Sequence, residues 1–159
     1  MPDTIFLYFL IASILLQTIL GVFFFNQKKK IISEFKQTDS IELENINGVI
    51  ITENGYFRKN FKWCKFDLMI NQNSIFLFPK NFYFIPNRAI NLLFSYSDKK
   101  NTKRPELLRE FNIGKHSIEL VYYRRFFLAE YKKIYLKNLN PEQLSILENS
   151  LNGKSRRFY

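Results

Sequence analysis

The stretch CKFDLMINQNSIFLF (residues 64–78) decides the fold. Its first half alternates. Cys64, Phe66, Leu68 and Ile70 share one parity while Lys65, Asp67 and Met69 share the other, the pattern of a strand with one buried and one open face. Asn71, Gln72, Asn73 and Ser74 supply turn-forming side chains, and Ile75–Phe78 returns as a second apolar run, so the segment is predicted to be a β-hairpin.

Runs of the same kind flank it: GVIIT (48–52), FYFI (82–85), INLLFSYS (90–97), HSIELVYY (116–123) and FFLAEYKKIYLKN (126–138). Together they predict about seven strands. The last run switches parity between Ala129/Tyr131 and Ile134/Leu136, which predicts a bulge near Lys132 and Lys133. Pro79, Pro86 and Pro105 are expected between strands, where a missing N–H breaks no ladder. GYFRKNFKW (55–63) is read as irregular.

The chain closes on LNPEQLSILENSLNG (139–153), a helix with all its boundary signals. Asn140 is the N-cap, Pro141 opens the helix, Gln143 completes a capping box, and Leu139 and Leu144 form a hydrophobic staple. Leu144, Leu147 and Leu151 make one apolar stripe, with Gly153 as the stop. That stripe must cover something, and the open end of a bent sheet is the available partner. The fold class is therefore α+β and mainly β: a strongly bent antiparallel sheet or partly open barrel of about seven strands, capped by one C-terminal amphipathic helix.

Before this domain lies TIFLYFLIASILLQTILGVFFF (4–25), twenty-two positions without a charge. As a helix it would measure about 33 Å, enough to cross the hydrocarbon of a bilayer. A cleaved secretory signal would carry basic residues at its start and small residues before its end, whereas this run starts after Asp3 and ends on Phe23, Phe24 and Phe25. It is read as a permanent transmembrane helix. Lys28, Lys29, Lys30 and Lys36 follow it, which predicts the N-terminus outside and the rest in the cytoplasm, with the chain in the inner (plasma) membrane. The expected organisation is an anchor (1–25), a charged linker (26–45), a cytoplasmic domain (46–153) and a basic tail (154–159).

The formal net charge of +10 on 159 residues is compatible with nucleic acid, an anionic membrane or an acidic protein. Part of it is attributed to codon composition, because Lys, Asn, Ile and Phe are abundant together. One cysteine, Cys64, excludes an intramolecular disulfide, and with one histidine, His116, it excludes a Cys/His zinc site of the usual spacing. No glycosylation sequon occurs. These features favour a reducing compartment.

The strand-turn-strand DLMINQNSIFLF (67–78) and the strand-to-helix ending KKIYLKNLNPEQLSILENSL (132–151) make residues 46–153 resemble the pleckstrin-homology-like domains, in particular the small bacterial and GRAM-like ones behind a transmembrane helix. The resemblance implies a membrane-proximal binding or scaffold module, without an enzymatic reaction or a cofactor. Eukaryotic relatives grip phosphoinositides in a loop that cannot be matched here residue by residue.

Two basic clusters are the candidate lipid- or partner-binding sites: Arg58, Lys59, Lys62 and Lys65, and Lys99, Lys100, Lys103 and Arg104. Aromatic and basic residues interleave in YFRKNFKW and YYRRFF, as in nucleic-acid stacking platforms, but a membrane anchor argues against that partner. His116 has no acid or nucleophile at a telling spacing, Cys64 falls on the inward parity, and no phosphate loop or metal-ligand cluster is present. The expected function is a non-enzymatic module contacting a protein partner or anionic lipid. The alternative is a small subunit of a larger membrane complex, associating through its transmembrane helix by way of Gln17 and Gly21.

Overall fold

The computed structural model describes residues 2–54, 58–81, 85–95, 105–123, 130–152 and 154. The uncharged run forms the first part of α1 (Pro2–Phe35). From Ile5 to Asn26 only Ser13, Gly21 and Phe24 are partly covered, and the most apolar window of the helix is wholly uncovered by the rest of the molecule. This one helix is long and apolar enough to cross a membrane.

α1 does not stop at the lysines. It continues through the segment expected to be a linker as far as Phe35, and β1 begins at Ile41. The cause is visible in the residues: Ile31, Ile32 and Phe35 recur at helical spacing and pack against Met69, Phe76 and Phe78 on the outside of the sheet. Leu43 then turns inward between the exposed Glu42 and Glu44, which is strand periodicity.

The strands are β1 (Ile41–Asn54), β2 (Arg58–Ile70), β3 (Ser74–Asn81), β4 (Ile85–Pro86), β5 (Ile90–Leu93), β6 (Glu106–Ile113), β7 (Ser117–Tyr123) and β8 (Glu130–Lys137). Their order is β2-β1-β8-β7-β6-β5-β3, and pairing of β2 with β3 closes these seven into a barrel, with β4 added beside β3. Every pairing is antiparallel except β5 with β6. Phe66, Leu68, Ile75, Leu77, Leu92, Ile118, Leu120, Ile134 and Leu136 fill the interior. The β2–β3 hairpin forms as its sequence predicts, with Asn71 N–H donating to the Ser74 carbonyl at 2.9 Å.

The last helix, α2 (Pro141–Leu151), carries the predicted cap. Asn140 Oδ1 accepts from Gln143 N–H at 2.7 Å, and Gln143 Oε1 accepts from Asn140 N–H at 3.1 Å. Leu147 and Leu151 are buried in the barrel core, and Leu144 packs against it. The predicted stop, Gly153, lies outside the described residues.

Four local expectations are corrected. Arg58–Trp63 is regular strand, paired with β1 from Val49 to Asn54; it reads as irregular because all six residues are exposed and no burial imposes an alternation. β6 is absent from the expected set of strands. Leu107 and Leu108 are both buried and the register shifts before Glu110, so a bulge breaks its period. No bulge occurs at Lys132–Lys133, where β8 pairs continuously with β1 and β7; the other register shift lies in β1, between Leu43 and Ile46. Pro79 and Pro86 lie within β3 and β4. The Pro79 carbonyl accepts from Asn87 N–H at 2.8 Å, so that edge of the residue faces the β4–β5 connection and its missing donor removes no bond to β2. Of the run at 82–85 only Ile85 is among the described residues, and Phe126 and Ala129 are not.

Candidate functional site

The helix–barrel junction is organised by Asp67. On β2 this residue has outward parity, expected to be open, yet it is only 4 % exposed because α1 lies over it. Lys28 Nζ of α1 donates to Oδ2 at 2.7 Å, and Lys80 Nζ of β3 reaches Oδ1 at 2.8 Å and Oδ2 at 2.7 Å. Asn45 N–H donates to Oδ1 at 3.1 Å from the β1 bulge, where the backbone is left-handed at φ 58°. Burial alone would raise the carboxyl's pKa, but the hydrogen bonds from Lys28, Lys80 and Asn45 and the Lys28 charge outweigh it and hold the group below its usual range. Lys28 also sits 5.4 Å above the Phe78 ring.

A second set of contacts fixes the direction of α1. At its end, Phe35 stacks on Phe76 at 5.7 Å between ring centroids, and the Phe35 carbonyl accepts from Asn71 Nδ2 at 2.8 Å. Two turns earlier Lys28 meets Asp67, which Lys80 also binds. The helix therefore climbs the outer wall of β2 and β3 from the β2–β3 turn toward Asn81, and leaves the barrel at the end where β1 turns into β2. α2 covers the opposite end, where Leu139 N–H donates to the His116 carbonyl at 3.0 Å and Lys154 Nζ to the Gln72 carbonyl at 2.8 Å.

The first predicted basic cluster lies entirely on β2, and the structure divides it. Lys59 and Lys65 share the outward parity of Asp67, whereas Arg58 and Lys62 share the inward parity of Cys64 beyond the point where the core ends. Lys59 Nζ lies 3.5 Å from Glu53 Oε1. The second cluster, Lys99, Lys100, Lys103 and Arg104, lies outside the described residues. Sequence reasoning missed what stands between Lys59 and Lys65: Phe61 and Trp63, 54 % and 65 % exposed. Apart from these and Ile41, every exposed large hydrophobic among the described residues belongs to α1.

Trp63, Val49 and Tyr135 align across β2, β1 and β8, and the next row aligns Phe61, Ile51 and Lys133. Lys137 Nζ is 4.5 Å from the Trp63 ring centroid and 5.3 Å from that of Tyr135. Continuing the alternation of residues 64–70 backward through the tryptophan would have found this aromatic wall. The glycine at position 55 and the flanking charges hid it.

Cys64 is a buried free thiol, its pKa pushed up to about 11 by burial against a smaller opposing effect of the Lys62 charge. It is a core side chain and not an activated nucleophile. His116 is exposed at the start of the β7 hairpin. Among the described residues no three His, Cys, Asp or Glu side chains converge on a position that could hold a metal ion.

No protein-family model matches the chain, and no curated protein matches it significantly. The class is therefore defined by architecture alone: a seven-stranded barrel with one added strand, plugged by a C-terminal helix and carrying on its outer wall the end of a long apolar helix.

Proposed function

We propose that this chain is a single-pass membrane protein of the inner (plasma) membrane, with its N-terminus outside and its barrel in the cytoplasm. The barrel acts as a pleckstrin-homology-like, non-enzymatic binding or scaffold module for a protein partner or anionic lipid. The observation that carries this reading is the union of α1 with the barrel through Lys28, Asp67 and Lys80. A helix fit to span a bilayer is wedded to a compact domain at its basic end, so the domain is held at the surface in a set orientation. The closed barrel with one plugging helix fits the pleckstrin-homology-like resemblance, and the lysines after the apolar run favour the cytoplasmic orientation.

The full chain should resist carbonate extraction. A cysteine replacing Thr4 should react with an impermeant reagent in intact cells, whereas one replacing Lys154 should react only after the cells are opened. The reverse labelling would overturn the orientation, and release by carbonate would overturn the anchor.

One observation favours a second reading, a subunit of a larger membrane complex. Gln17 is exposed within the apolar part of α1 and makes no hydrogen bond among the described residues, and one turn on Gly21 has open space beside it. An amide in hydrocarbon gains by finding a neighbour's polar group. Self-association in mild detergent that Gln17→Leu abolishes would favour this reading.

A further inference from the structure

We draw no further inference here: the strongest candidate, the exposed aromatic wall of Phe61 and Trp63 on the outer face of β2 beside Lys137, carries nothing, because nothing in the structure shows what covers it.

Discussion

Replacing Asp67 by asparagine should loosen α1 from the barrel. The carboxylate lies between two ammonium groups, each at 2.7 Å, and its side chain is 6 % exposed. The amide would keep the shape and one acceptor, but would leave two lysines facing a neutral group. Removing one partner of a fully buried ion pair costs about 3 to 5 kcal/mol. Here Lys28 and Lys80 are 25 % and 22 % exposed and can swing toward water, so about 2 to 4 kcal/mol is expected. At about 2 to 4 °C per kcal/mol for a chain of this size, the melting temperature should fall by about 4 to 16 °C. The pH dependence separates the charge from the shape. The folded carboxyl titrates below its unfolded value, so its stabilisation is fully present above the unfolded pKa and is lost as pH falls through the lower, folded one. Wild type in detergent should lose stability below about pH 4, and Asp67→Asn should lack this component. Far-UV circular dichroism in urea, repeated between neutral and acid pH, measures both. A variant as stable as wild type at neutral pH, or with an unchanged acid profile, would refute the role given to Asp67.

Three further outcomes are expected. Gly48→Ala should destabilise the barrel by about 1 to 3 kcal/mol in the same urea assay, since overpacking a fixed site has that effect; its added Cβ would lie 2.7 Å from the Tyr135 carbonyl oxygen and 2.7 Å from the Phe66 ring. Leu147→Ala should cost about 2 to 4 kcal/mol, because it empties a fully buried site in the helix that plugs the barrel; a neutral result would mean that α2 does not seal the core. Cys64 should resist maleimide at neutral pH until the protein is unfolded, because burial holds its thiol protonated and out of reach. Rapid native labelling would contradict its place in the core.

What the sequence discloses and what it hides divide along the range of the interactions. The α2 cap depends on Asn140, Pro141 and Gln143, all within one turn, and the β2–β3 hairpin on an unbroken period around a polar turn; both are readable locally. β6 is hidden because its bulge sets Leu107 and Leu108 side by side and removes the period that signals a strand. The burial of Asp67 and Met69 is hidden for a different reason. Their cover comes from α1, more than thirty residues upstream, and the ion network spans Lys28 to Lys80. The basic cluster on β2 is legible as composition, but strand parity sends Lys59 and Lys65 one way and Arg58 and Lys62 the other. Phe61 and Trp63, set between those charges, are legible only when the alternation of residues 64–70 is carried back through them.

The central claim is that α1 is a membrane anchor whose last turns are built into the barrel wall. Spin labels placed one at a time from Gly21 to Lys36 in the reconstituted full chain, scanned for collision with oxygen and with a water-soluble nickel complex, test it most directly. The account predicts lipid exposure that ends near Phe25. Beyond it, positions 28, 31, 32 and 35 should be immobile and shielded from both reagents, while 29, 30, 33 and 34 face water. Labels from 26 to 35 that are all mobile and water-accessible, with no helical period, would mean a free linker and would contradict it.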